Sequence, residues 1–180
     1  MTEYHVKLPL DTKFIESLKV EDVLYIDGVI MTARDQAHQR ILKLLDTQEA
    51  IPEKLQQMKG GVLYHCGPVI IKDKRANWKL ISAGPTTSAR LNPFNAEVCK
   101  QLGIKVVIGK GGMENENWGD IPAVYCVFPG GVGALFQRFI TEIKSVLWLD
   151  LGMPEAIWFL ECNKFGPLLV GIDTHGNSIF

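Results

Sequence analysis

The chain has 180 residues, 47% of them hydrophobic and 22% charged, with a formal net charge of −1. That size and composition predict one domain, 1–180, with a real core. The near-neutral balance excludes a general attraction to nucleic acid or anionic lipid, so any anion preference must be local. No apolar run reaches the ~20 residues of a membrane span. Met1 to Lys7 lacks a signal-peptide core, which makes the cytoplasm the expected location.

In chain order, residues 3–9 read as a short strand, and Leu10 to Leu18 holds a helical turn with Asp11 as cap. Val20 to Met31 reads as a hairpin turning at Asp27-Gly28, which makes the N-terminal part β-rich. Ala33, Ala37, Ile41, Leu44 and Leu45 keep helical spacing, and Thr32 with Asp35 predicts a capping box. Arg34 then falls in the first helical turn. The helix dipole disfavours a cation there, so a carboxylate or an anionic ligand should compensate it. His38 lies one turn along on the same face. From spacing alone the plainer reading of this pair is a surface salt bridge and a solvated histidine.

Residues 46–61 read as a connection with a short helix, and Val62 to His65 as a short strand entering Cys66-Gly67-Pro68. Val69–Ile71 and Trp78–Ile81 read as paired strands around a charged tip. The segment Ile81 to Phe94 reads as a strand end, a loop of hydroxyls with one arginine, and a helix start with Asn92 as cap and Pro93 as first helical residue. The helix 93–102 stops at Gly103, and Ile104 to Ile108 follows as a strand ending in Gly109-Lys110-Gly111-Gly112. A parallel strand–helix–strand core is therefore expected. Ligands of such sheets sit at the carboxyl ends of the strands, which puts Thr86, Arg90 and Lys110 on one edge as a pocket for a small anion.

The loop 111–118 is polar and glycine-rich, suited to a mobile or interface role. Ala123 to Phe128 reads as a buried strand. Pro129-Gly130-Gly131-Val132-Gly133 then opens a helix, but Phe136 stands where a dinucleotide fingerprint needs a small residue, so a backbone approach to the anion edge, or simple packing, is the better reading. Ile143–Leu149, Ala156–Cys162 and Leu168–Ile172 read as strands separated by turns at 151–154 and 165–167. Asp173 and His175 form a terminal Asp–His pair whose ordinary role is structural. The cysteines Cys66, Cys99, Cys126 and Cys162 are widely spaced without Cys-x-x-Cys, so no metal site is expected in this chain. The last three read as packed thiols, whereas Cys66 falls in a loop.

Ala83-Gly84-Pro85-Thr86-Thr87-Ser88-Ala89-Arg90 followed by Gly109-Lys110-Gly111-Gly112-Met113 resembles the β subunit of two-subunit class I hydro-lyases, the iron–sulfur fumarases and L(+)-tartrate dehydratases. Arg34-Asp35-x-Ala37-His38, His65-x-Gly67-Pro68, Leu151 to Trp158, and Phe165-Gly166-Pro167-Leu168 through Asp173-Thr174-His175-Gly176 resemble the same family. The resemblance implies an α/β swivelling β/β/α domain. It also implies a partner α subunit that carries a 4Fe–4S cluster, a heterotetramer, and a C4 dicarboxylate substrate. By similarity Arg34, Arg90 and Lys110 match carboxylate-clamping cations and Thr86 a catalytic base, with His38, His65, Thr87, Asp173 and His175 as supporting candidates. Ala89 departs from the glycine many fused fumarases carry there. The expected activity is hydration of fumarate to L-malate. The alternatives are L(+)-tartrate dehydration and a non-catalytic dicarboxylate-binding module.

Overall fold

A computed structural model describes residues 1–114, 118, 121–131 and 133–180. The chain runs β1 (Glu3–Lys7), α1 (Thr12–Ser17), β2 (Val23–Thr32), α2 (Asp35–Asp46), α3 (Glu53–Gln56), β3 (Val62–Tyr64), β4 (Val69–Lys72), β5 (Trp78–Ser82), α4 (Asn92–Leu102), β6 (Val106–Gly109), β7 (Val124–Val127), α5 (Gly133–Phe136), β8 (Ile140–Leu147) and β9 (Ile157–Ile172). Asp11 caps α1 as expected, its carboxylate accepting from Phe14 N–H at 2.7 Å. Among the described residues no helix is long and apolar enough to cross a membrane.

Seven strands form one mixed sheet in the order β1-β2-β3-β6-β7-β9-β8. β2, β3, β6 and β7 run parallel, and β9 returns antiparallel to both β7 and β2. Leu169 pairs with Val127 on one side and Val23 on the other, so β2, β3, β6, β7 and β9 close into a ring. The period-two alternation of side chains then divides the core in two. Ile30, Tyr64, Ile108, Cys126 and Leu160 fill the inside of the ring. Met31, Leu63, Val107, Tyr125 and Phe159 face outward and are covered by Ala37 and Ile41 of α2 and Val98 and Leu102 of α4. All four cysteines are free and buried, Cys66 included.

Several local expectations are overturned. β2 runs through Asp27-Gly28 without turning; Gly28 has φ +121°, and a Cβ there would lie 3.0 Å from Leu8 Cβ. The glycine thus serves an irregular step in the pairing with β9, between Ile26 and Gly28, not a hairpin. Gly166-Pro167 likewise lies inside β9, because a Cβ on Gly166 would meet the Leu24 carbonyl at 2.6 Å. The strand ending near Ile81 is not the parallel neighbour of β6. β4 and β5 form a separate antiparallel pair, and β6 lies between β3 and β7. The side-chain caps predicted for α2 and α4 do not form. Arg34 is the N-cap of α2 and makes no side-chain cap bond, while buried Thr32 accepts from Trp158 N–H at 3.1 Å. Asn92 is already helical, because a 3₁₀ turn over Ser88–Leu91 feeds α4, and its side-chain Oδ1 accepts from Glu114 N–H at 3.3 Å. Gly103 does end α4 in the left-handed region, with φ 65°. Of the loop expected to be mobile or interfacial, 115–117 lie outside the described residues, while Met113 and Trp118 are buried.

Candidate active site

The parallel strands β2, β3 and β6 end on one edge of the ring, delivering Arg34, His65 and Lys110 there. The segment 85–88 docks between the last two. Thr86 N–H donates to the His65 carbonyl at 2.7 Å, Lys110 N–H donates to the Thr86 carbonyl at 3.2 Å, and Ser88 N–H donates to the Lys110 carbonyl at 3.1 Å. These bonds act as a short extra strand pairing and fix Thr86 between the two strand ends. Thr87 bridges Lys110 and is exposed. This docking, and not a strand–helix–strand crossover, brings Thr86 and Arg90 to Lys110's edge.

The 3₁₀ turn then carries Arg90 to the start of α2, where its Nη2 lies 2.9 Å from Asp35 Oδ2. Ala89 is accommodated in this turn without a left-handed φ. Arg34 Nη2 lies 3.9 Å from that same oxygen of Asp35, and Arg34 Nε lies 3.4 Å from Glu155 Oε1. The other Glu155 oxygen accepts Gln36 N–H at 2.9 Å, so one carboxylate compensates both the helix start and the misplaced cation. The compensation expected for Arg34 is therefore carboxylate, from Glu155 and Asp35. Gly67 explains its motif: a Cβ there would stand 2.7 Å from Arg34 Cδ and 2.9 Å from the Pro154 carbonyl. Gly130 lies along the Lys110 stem, where a Cβ would meet Cδ at 3.1 Å. The glycine-rich segment thus approaches the cation edge at Gly130 and packs on Ser82 and Gly84 at Gly133.

His38 is fully buried, which corrects the solvated reading. Its Nδ1–H donates to the Arg34 carbonyl at 2.8 Å. A carbonyl can only accept, so Nε2 is the unprotonated nitrogen of the neutral ring. His65 is equally buried, with Nδ1 2.9 Å from Ser88 Oγ. The two rings meet edge to face at 5.4 Å between centroids, and by hydrogen-bond geometry the buried Nε2 of each meets no partner among the described residues. Burial pulls the His38 pKa down to about 4, against the opposing Arg34 carbonyl and Asp35 charge. Burial also holds His65 well below the ordinary histidine range, with His38 adding to the shift. Both rings are neutral anchors beneath the edge at pH 7.

Asp173 and His175 are not brought to this edge. They follow β9 where it pairs with the start of β7, at the opposite rim of the ring. The Asp173 carboxylate accepts from the backbone N–H groups of His175 and Asn177, and His175 Nε2 lies 3.3 Å from the Glu16 carbonyl. Asp35, Ser88 and Glu155 are the side chains in contact with the candidate residues that motif reading did not place there. Asp35 looked like a capping residue, and nothing in the spacing links Glu155 to a cation 121 residues earlier in the chain.

A protein-family model described as "Fumarase C-terminus" matches residues 2–180. The chain is 44% identical over 175 residues to a Methanocaldococcus jannaschii protein named "Putative L(+)-tartrate dehydratase subunit beta", covering 95% of this chain and 88% of that one. It is 38% identical over 174 residues to the L(+)-tartrate dehydratase subunit beta of Escherichia coli (strain K12), covering 95% and 83%. It is also 36% identical over 177 residues to a Geobacillus stearothermophilus protein named "Putative fumarate hydratase class I", covering 97% of this chain and 33% of that protein.

Proposed function

The chain belongs to the fumarase C-terminus family, and on that premise we propose that it is the β subunit of a two-subunit hydro-lyase acting on a C4 dicarboxylate. The observation that supports this most is the gathering of Arg34, Thr86, Arg90 and Lys110 at one edge of the ring. In the dehydration direction a carbon beside a carboxylate loses a proton, and negative charge builds on that carboxylate in the transition state. Cations fixed in advance stabilise this charge more than they stabilise the ground state. In this reading Arg34 and Arg90 grip carboxylates through their planar forks, and Lys110 adds a compact point charge. Thr86, held by backbone bonds on both sides, addresses the Cβ proton. An alcohol is a weak base unless a neighbour takes up its own proton, so Thr86 either acts as a base through such a neighbour or hydrogen-bonds the substrate.

The resemblance implies a 4Fe–4S cluster, which would supply Lewis-acid chemistry at the substrate hydroxyl. This chain's residues do not fit one. Its cysteine thiols are all buried and pushed up by that burial, and no group of three metal-binding side chains converges among the described residues. The cluster therefore belongs, in this proposal, to a cytoplasmic α partner, with the assembly a heterotetramer. In the same proposal the chain, 1–180, acts as the swivelling β/β/α domain, a reading that the mixed α/β ring with its outer helices supports. The half-exposed Arg90 side chain suits a site completed by a second chain.

Fumarate hydration to L-malate is the first reading, on the breadth of that activity in metabolism, since the same clamp would hold the two carboxylates of either substrate. The second reading is L(+)-tartrate dehydration, favoured by the names of the relatives matched over most of their length. An anaerobic assay with the α partner, following fumarate, L-malate and L(+)-tartrate in parallel, tests both. Interconversion of fumarate and malate alone supports the first, and oxaloacetate from tartrate moves the assignment to the second. No turnover of any of the three, with the partner's cluster intact, overturns the hydro-lyase reading in favour of a dicarboxylate-binding module.

A further inference from the structure

The two arginines are unequally constrained. Arg34 packs against Gly67 and lies beside Glu155, whereas Arg90 is 54% exposed and has Asp35 as its one carboxylate partner among the described residues. One oxygen, Asp35 Oδ2, reaches both guanidinium groups, at 2.9 Å from Arg90 and 3.9 Å from Arg34. We propose that Asp35 is a positioning residue: without touching substrate, it orients Arg90 against Arg34 and sets the spacing at which the two cations meet a dicarboxylate. The proposal rests on the clamp assigned above.

Two effects of the Asp35 charge oppose each other. It lowers the positive potential offered to a substrate carboxylate, but in a partly exposed pair solvent and salt screen that loss. It also removes rotamer freedom from a long side chain before substrate arrives, through a 2.9 Å hydrogen bond whose directionality adds to the charge attraction. A guanidinium has five N–H donors, so one given to Asp35 leaves a fork for the substrate. Ordering therefore outweighs competition, and loss of the charge weakens substrate binding.

The test uses the complex assembled with the α partner. Asp35→Asn keeps the shape and removes the charge. It is expected to raise KM for the dicarboxylate about tenfold, with kcat changed less than about threefold. Asp35→Ser, well tolerated at a helix start, is expected to give the same split. In an Arg90→Met background Asp35→Asn should cost less than about threefold in kcat/KM, since the guanidinium that Asp35 orients, that of Arg90, is gone. An unchanged or lower KM overturns the proposal, as do penalties that multiply independently. A fall in Tm with KM unchanged marks a helix-terminus role only and also overturns it. If Arg90→Met is costly while Asp35→Asn is silent, only the positioning role falls. If Arg90→Met is itself silent, the clamp falls and takes this proposal with it.

Discussion

His38 and His65 make the cation edge sensitive to acid. The unfolded chain takes up a proton at His38 near pH 6.5, while the folded chain resists it until about pH 4. Between those values the unfolded state binds more protons, so stability is fully present above about 6.5 and is lost as pH falls toward 4. From His38 alone the loss approaches about 3 kcal/mol, and His65 acts in the same direction. Melting temperature should therefore fall steeply over this window. His38→Asn, whose amide can still donate to the Arg34 carbonyl, should flatten the profile; a wild-type curve flat across it would contradict the buried neutral assignment. At this scale the cations and Thr86 were legible, because a glycine-rich hydroxyl loop with fixed Arg and Lys positions is a distinctive string. The burial of His38 was not. It lies on the helix face carrying Ala37 and Ile41, but whether a histidine there is covered depends on β3 and α4, which no local pattern reveals.

The docking of segment 85–88 between β3 and β6 depends on Gly109. A Cβ there would fall on Ser88 Oγ, the atom that meets His65 Nδ1. Gly109→Ala should cost about 1–3 kcal/mol, as overpacking does in a closed site. Adding Ser88→Ala removes the colliding oxygen and leaves Ser88 Cβ at 3.1 Å and Tyr125 Oη at 3.3 Å as the nearest contacts. The double variant should then recover much of the lost stability in urea titrations. A double variant as unstable as Gly109→Ala would mean that the clash is not what the glycine avoids. Helices and short strands were read from period and punctuation with modest boundary errors. The misreadings at Gly28 and Gly166 share one cause: glycine was taken as a turn signal where it permits close backbone approach inside a long strand. The parallel crossover was misjudged because β4 and β5 interrupt the path from β3 to α4 as a separate sheet.

As a whole the molecule is a strand ring with an outer helical layer, and the candidate clamp residues gather at one rim. Closure through β9 could not be read from the sequence, since it depends on one long strand pairing on both sides. The rim presents Arg34, Arg90, Lys110 and Thr86, which in the proposed function form half of a site for a doubly charged substrate. The central claim is that this chain supplies the carboxylate clamp. It is tested most directly by kcat/KM for L-malate dehydration in the assembled complex, comparing the wild-type chain with Arg90→Lys at equal assembly. Loss of the bidentate fork should reduce kcat/KM by roughly 10²-fold, about 3 kcal/mol of transition-state binding. Wild-type kcat/KM in Arg90→Lys would contradict the account.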